Sequence, residues 1–141
     1  RFKKIASLCI TIAQTGQYNF ARSMRRGELF SVSYSVVKFC TDAIALIFLL
    51  NRRYAPFYKC LHRAVKDLPL LGREVHESVG ALLKPAEPQQ QEETMEAVSV
   101  LLADELRRQE LSDSPSDFLL DHAPRVQSHI RDATLRQRLS A

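Results

Sequence analysis

Apolar residues recur three or four positions apart along most of the chain, which is the period of an amphipathic α-helix. The first such stretch is predicted to run from about Phe2 to Thr15, because Gly16 directly after it can take the left-handed conformation that ends a helix. A second, short helix is predicted from Asn19, whose side chain can accept from free backbone donors, to about Gly27.

The most apolar part of the chain predicts one long helix, from Glu28 to about Arg52. It becomes apolar all round over residues 43–50, so neighbours should cover it on every side. Its polar positions and its apolar length, short of the roughly 20 residues of a membrane span, favour a soluble core helix and no membrane partner. Lys38 and Asp42 are expected to form an ion pair; the alternative is a buried functional carboxylate at Asp42.

Prolines divide the rest of the chain. Pro56 favours the first turn of a helix and disfavours helical geometry just before it, so a break near Tyr54 and Ala55 should precede a helix over residues 56–68. Another helix is predicted over residues 70–83, after Pro69. The polar, proline-punctuated residues 85–91 predict a linker.

The C-terminal part predicts a helix over residues 92–111, a helix start at Ser114–Asp117, and a last helical stretch from Pro124 that includes Leu135 and Leu139. The expected fold is all-α, a bundle of about six or seven helices. Residues 1–84 would form the core bundle with a basic, aromatic face, and residues 92–141 an acidic helical segment that packs on or extends it.

Composition fits one ordinary domain, with 141 residues of which 45% are hydrophobic. The chain opens on Arg1 rather than Met, so we interpret it as a fragment of something longer. Its first 13 residues are interpreted as an amphipathic helix rather than a signal peptide, because no small-x-small cleavage site follows. Cys9, Cys40 and Cys60 are too widely spaced for a disulfide framework or a zinc site, and they suit a reducing cytoplasm.

The two parts of the chain differ in charge. Residues 1–84 hold 14 Lys and Arg against 5 Asp and Glu, a net +9, whereas residues 85–141 hold 6 against 11, a net −5. Ten of the 11 Phe and Tyr residues lie at or before Tyr58. Any role in binding anions is therefore expected in the first part.

The usual catalytic motifs are missing from the sequence. Its four glycines form no phosphate-binding loop, its four histidines form no H-E-x-x-H, and its carboxylates form no D-x-D pair. We assign no catalytic residue and no metal ligand.

What remains is the cationic and aromatic stretch Asn51–Lys59, directly after the apolar run. Arg grips phosphate through paired hydrogen bonds, Lys adds a point charge, and Tyr offers a stacking face and a hydroxyl. A second candidate is Arg22, which lies on one helix face with Arg25 and Arg26 and would repel them without an anion or a carboxylate between. In the alternative interpretation the aromatic rings are core residues and the cations are simply solvated.

Two motifs resemble an uncharacterised bacterial family, the helical domain that follows a nucleotidyltransferase-like catalytic domain and is distantly similar to the kanamycin and lincosamide nucleotidyltransferases. The resemblance covers most of residues 1–84. It rests on Gly16-Gln17-Tyr18-Asn19 with Arg22 and Arg26-Gly27-Glu28, on Phe48 through Lys59, and on a tail from Asp117-Phe118-Leu119 to Asp132-Ala133-Thr134-Leu135-Arg136.

The resemblance implies the accessory half of an enzyme, inactive on its own, that lines a cleft for nucleotide or small-molecule acceptor beside an N-terminal catalytic domain absent from this chain. Mg²⁺ and a nucleoside triphosphate would come with that domain. The family tends to have Trp where this chain has Cys60, which leaves any stacking there in doubt. The residues expected to line the cleft are Arg22, Arg26, Asn51, Arg52, Tyr54, Tyr58 and Lys59.

The leading hypothesis places Asn51–Lys59 as one wall of that cleft and the Arg22–Glu28 turn as a second, so that the isolated domain binds nucleotides weakly or not at all. The alternative is a non-catalytic interaction module whose basic face binds a protein or, less favoured, nucleic acid.

Overall fold

The computed structural model describes residues 1–130, whose regular secondary structure is entirely helical. The α-helices are α1 (Phe2–Ile12), α2 (Phe20–Arg26), α3 (Leu29–Leu50), α4 (Tyr58–Val65), α5 (Gly72–Leu82), α6 (Pro88–Arg108) and α7 (Ala123–Gln127). A π-helical segment (Ala13–Asn19) follows α1, and a 3₁₀ turn (Leu119–His122) precedes α7. The prediction of an all-α bundle with six or seven helices is confirmed.

The first two predicted helices are in fact one continuous helix. Ala13 and Asn19, at the two ends of the π-helical segment, both have right-handed helical backbone angles. The predicted helix end at Thr15 and the predicted cap at Asn19 are therefore wrong. Gly16 instead allows the helix to pack closely against the buried Phe39, because a Cβ atom at Gly16 would overlap the Phe39 ring.

The predicted end of the second helix at Gly27 is confirmed. Gly27 has a left-handed backbone with φ of 69°, and Glu28 N–H donates to the carbonyl of Ser23 at 3.0 Å. This is the hydrogen bond of a Schellman motif, which closes a helix most easily at glycine. The chain then reverses into α3, which packs against α1, the π-helical segment and α2. We call residues 2–50 the N-terminal hairpin.

Helix α3 is the central element of the bundle. Leu46 and Ile47 are fully buried, as expected from the apolar pattern. Among the described residues it is also the one helix long and apolar enough to cross a membrane by length and composition, and 56% of its most apolar window is buried inside the fold. The predicted ion pair is present, with Lys38 Nζ 3.0 Å from Asp42 Oδ1.

The helices after the break are shorter than predicted. Helix α4 begins at Tyr58 rather than at Pro56, and α5 begins at Gly72 because Leu71 has a left-handed backbone with φ of 60°. The two helices are joined by stacked imidazoles. His62 Nε2 lies 2.9 Å from the carbonyl oxygen of His76, and His76 Nδ1 lies 2.9 Å from that of His62.

Two further predictions fail in the C-terminal part. Residues 88–91 of the predicted linker form the first turn of α6, since Pro88 suits the first helical position. Ser114–Asp117 starts no helix; instead the hydroxyls of Ser114 and Ser116 accept from backbone N–H groups two residues ahead, which favours turns. The stretch from Pro124 becomes α7, whereas Leu135 and Leu139 lie outside the described residues.

One cluster of buried apolar side chains extends from α1 to α7. Helix α6 packs against α3, α5 and the π-helical segment, and α7 packs against α1. Hydrogen bonds from polar side chains also connect distant parts of the bundle. Gln17 donates to the Asp117 carbonyl at 2.8 Å, and Gln109 donates to the Leu50 carbonyl at 3.0 Å. The acidic half thus shares a core with the basic half.

Candidate functional site: a cationic cleft at the end of the hairpin

A cleft of about 500 Å³ opens where the start of α1 meets the end of α3. Four cationic residues line it, together with two apolar residues of α3 and the chain just after that helix. The lining residues are Arg1, Lys4, Ala45, Leu49, Arg52, Arg53, Tyr54 and Ala55. None of these described residues is acidic, so the lining of the cleft carries a net positive charge.

The antiparallel hairpin builds this arrangement. Arg1 directly precedes α1 and Lys4 stands in its first turn, while Arg52 and Arg53 follow the last turn of α3, so the hairpin joins charges from distant parts of the sequence. Partial burial, and then the nearby charge of Arg52, lower the pKa of Arg1 below its ordinary value. Crowded like charges of this kind are relieved by a bound anion.

The backbone of Arg52 is left-handed, with φ of 58°. Its N–H donates to the carbonyl of Leu49 at 3.0 Å, and the N–H of Arg53 donates to the carbonyl of Phe48 at 2.9 Å. This is again the Schellman motif, with Arg52 where glycine is usual. An arginine is therefore held in a costly conformation at the rim of the cleft.

The aromatic residues of the stretch are placed differently from one another. Tyr54 lines the cleft and is 95% exposed, so its ring is free to meet a ligand. Tyr58 and Lys59 lie exposed in the first turn of α4 and do not line the cleft. The ring of Tyr58 instead contacts Phe57, at 4.5 Å between centroids.

The side chain of Asn51 forms hydrogen bonds within the fold. Its Nδ2 donates to the carbonyls of Ile47 at 2.8 Å and Leu70 at 3.0 Å, and its Oδ1 accepts from the Leu70 N–H at 2.9 Å. The amide thereby ties the end of α3 to the loop before α5. Both N–H donors of this amide are engaged within the fold, and Oδ1 keeps one further acceptor position.

Arg22 and Arg26 lie at the opposite end of the hairpin. At about 1.5 Å of rise per residue, Arg22 stands roughly 25 Å along the helix from Lys4. Its Nη1 donates to Tyr18 Oη at 2.6 Å, and its guanidinium lies over the Tyr18 ring. The two predicted walls of one cleft are thus separate surfaces.

Sequence reasoning missed Arg1 and Lys4 as cleft residues, treating them only as the basic start of an apolar segment. The signal that could have found them is the hairpin itself, since two antiparallel helices of similar length must bring residue 4 near residue 49. A larger, neighbouring groove of about 710 Å³ shares Arg1 and Arg52 and adds Arg108 and His129.

No group of three His, Cys, Asp or Glu side chains within residues 1–130 is arranged to hold a metal ion. The cysteines are free thiols. Burial raises the pKa of Cys9 and of Cys40 to about 12, which keeps both protonated at neutral pH. Neither is therefore a nucleophile in the folded protein.

Fold and cleft together define an all-helical domain with an open cationic surface. Residues 1–61 match the model of an uncharacterised domain family, described as a domain of unknown function (DUF4037). The match covers the N-terminal hairpin and the chain that forms the cleft, and it names no activity. Comparisons with curated proteins and with solved structures give no significant match.

Proposed function

We propose that this chain is the accessory helical domain of a bacterial, cytoplasmic nucleotidyltransferase-like protein, and that its cleft receives the phosphates of the nucleotide. The observation that carries the proposal is the convergence of Arg1, Lys4, Arg52 and Arg53 on one cleft without a described acidic residue in its lining. Transfer of a nucleotidyl group requires such charge, because phosphoryl oxygens must be neutralised in the transition state.

The size and lining of the cleft suit a nucleotide. A volume of about 500 Å³ lies within the usual range for small-molecule sites. Arginines can bind phosphate oxygens in pairs, and the exposed ring of Tyr54 can stack on a base. Ala45 and Leu49 form an apolar floor. In the proposal, the catalytic domain of the same protein forms the opposite wall and positions the acceptor.

Within residues 1–130, no group of three His, Cys, Asp or Glu side chains is arranged to hold a metal ion. In the proposal, Mg²⁺ and the catalytic carboxylates belong to the partner domain. This chain contributes binding and charge, and no step of the reaction is assigned to its own side chains.

Calorimetric titration of ATP, GTP and CTP into the full-length protein tests the proposal. We expect Arg52→Ala/Arg53→Ala to weaken triphosphate binding by about tenfold or more, because charge-assisted hydrogen bonds to phosphate contribute about 1.5–3 kcal/mol each. The control Lys66→Ala/Arg73→Ala removes the same charge from exposed positions outside the cleft. Equal losses in both variants would contradict the proposal.

Lys59→Ala distinguishes the cleft seen in the structure from the cleft predicted from the sequence, since only the predicted lining includes Lys59. Because Lys59 does not line the cleft, we expect its replacement to change triphosphate affinity less than replacement of Lys4. The alternative, an interaction module without a nucleotide, predicts no difference between triphosphate and free phosphate in any variant.

A further inference from the structure

A second cationic and aromatic surface lies at the closed end of the N-terminal hairpin. We call it the hairpin tip, and we propose that it binds single-stranded nucleic acid. This inference is independent of the nucleotide cleft, which lies roughly 25 Å away along the helix. The hairpin tip consists of Tyr18, Arg22, Arg25, Arg26, Phe30 and Tyr34.

The aromatic side chains of the hairpin tip are largely exposed to solvent. Phe30 is 85% exposed and Tyr34 is 56% exposed, although large aromatic side chains are usually mostly buried. Their rings stand one helical turn apart, with centroids at 6.4 Å and planes inclined by only 17°. Two nearly parallel exposed rings form a platform on which successive bases can stack.

The cations of the hairpin tip are available to phosphates. Arg25 and Arg26 are exposed and form no hydrogen bond or ion pair with any described residue. Arg22 is held by its contacts with Tyr18, so its guanidinium is positioned in advance. The single acidic residue in the turn, Glu28, does not pair with any of the three arginines.

The turn at Gly27 brings these two sets together. It places the last turn of α2, which carries Arg25 and Arg26, beside the first two turns of α3, which carry Phe30 and Tyr34. Positive charge beside exposed rings suits the phosphates and bases of a single strand. A duplex presents phosphates but keeps its bases stacked inside, so the rings would have no partner. The chemistry of the hairpin tip therefore favours single strands over duplexes.

Fluorescence anisotropy with labelled dT20 and rU20 at 50 mM salt tests the proposal. Phe30→Ala/Tyr34→Ala keeps the charge and removes the stacking platform, and we expect it to weaken binding about tenfold or more. Arg25→Ala/Arg26→Ala should also lower the dependence of log affinity on log salt by about 1.4, since each phosphate contact on a single strand contributes about 0.7. All four side chains are exposed, so these variants should fold, which circular dichroism checks.

One control locates the site. Lys66→Ala/Arg73→Ala removes equal charge at exposed positions elsewhere and should bind dT20 nearly as the wild type does. The proposal is overturned if the wild type binds neither oligonucleotide. A protein would then be the favoured partner of the hairpin tip. The proposal is equally overturned if Phe30→Ala/Tyr34→Ala binds dT20 unchanged, or if a 20-base-pair duplex binds as tightly as dT20.

Discussion

At the scale of the residue, Arg52 combines a structural cost with a position at the cleft. Glycine would close α3 more easily, as Gly27 closes α2 in the same motif. Residues held in rarely populated conformations concentrate at functional sites. In the proposed function, the side chain of Arg52 accounts for arginine at this position.

Replacing Arg52 with glycine should therefore separate stability from binding. We expect Arg52→Gly to stabilise the fold by about 1 kcal/mol, because the left-handed conformation loses its steric cost. Triphosphate binding should weaken in the same variant. Urea unfolding measures the first effect and calorimetry the second; a variant that is both less stable and unchanged in binding would contradict this assignment.

Gly16 matters for packing because it has no side chain. Gly16→Ala would push a methyl group into the buried ring of Phe39, and we expect a loss of about 1–3 kcal/mol in the free energy of unfolding. The double variant Gly16→Ala/Phe39→Leu should recover part of the loss, since the smaller side chain makes room. Failure of Gly16→Ala to destabilise the protein in urea would exclude close packing as the role of this glycine.

At the scale of the element, the end of α3 is fixed by Asn51 rather than by helix propensity. Two hydrogen bonds between the Asn51 amide and Leu70 hold the loop before α5 against α3, and a third, to the Ile47 carbonyl, orients the amide. The cleft depends on this contact, because Arg52 and Arg53 follow directly in the chain. A residue assigned to binding from its sequence motif thus acts by positioning its neighbours.

Asn51→Ala should destabilise the protein by about 2–3 kcal/mol, since it leaves backbone groups of Leu70 and Ile47 without their partners. Asn51→Asp keeps the acceptor for the Leu70 N–H but places a carboxylate oxygen against the carbonyls of Ile47 and Leu70 at the C-terminus of α3, so it should be at least as destabilising as alanine. Thermal or urea unfolding of the three proteins gives the order. A smaller loss for Asn51→Asp than for Asn51→Ala would contradict the assignment of the two donated bonds.

Helix type and approximate position could be predicted from the sequence, whereas several helix ends could not. Gly27 ended its helix as expected, but Gly16, with the same local signal, is buried against Phe39, and only the tertiary contact distinguishes them. The sequence pattern places Pro88 in a linker, but Pro88 begins α6, because proline suits both positions.

Only part of the lining of the cleft could be predicted from the sequence, again because tertiary contacts decide which residues meet. Arg52 and Tyr54 were found because they stand in one short motif. Arg1 and Lys4 reach the cleft only through the packing of α1 on α3, and Arg22 and Arg26 are carried to the far end by the same packing. A linear motif shows which residues are close along the chain but not which ends of two helices meet.

At the scale of the whole molecule, one core joins both halves of the chain, so its buried thiols report on the entire fold. Burial raises the pKa of Cys9 and Cys40 from 9.0 to about 12. Between these values the unfolded chain has lost protons that the folded protein retains. Stability should consequently fall as the pH rises from about 9 towards 12.

We expect the urea midpoint of the wild type to decrease more between pH 8 and pH 10 than that of Cys9→Ala/Cys40→Ala. Cys60→Ala should behave as the wild type, since Cys60 is partly exposed. At pH 8 a thiol reagent should label Cys60 rapidly and the two buried cysteines only when the protein unfolds. Rapid labelling of Cys9 or Cys40 in the absence of urea would show that the core opens locally.

The π-helical segment between α1 and α2 has a consequence for how the two ends of the hairpin are oriented. A π-helix closes its hydrogen bonds one residue further on than an α-helix, so it places an extra residue within a helix. Because the extra residue is taken up inside the segment, removal of one residue from Ala13–Asn19 would restore α-helical hydrogen bonding and leave α1 and α2 nearly in phase. Lys4 would keep its place beside Leu49 and Arg22 its place at the hairpin tip, so one deletion here should change the length of the hairpin more than the relative orientation of its two ends.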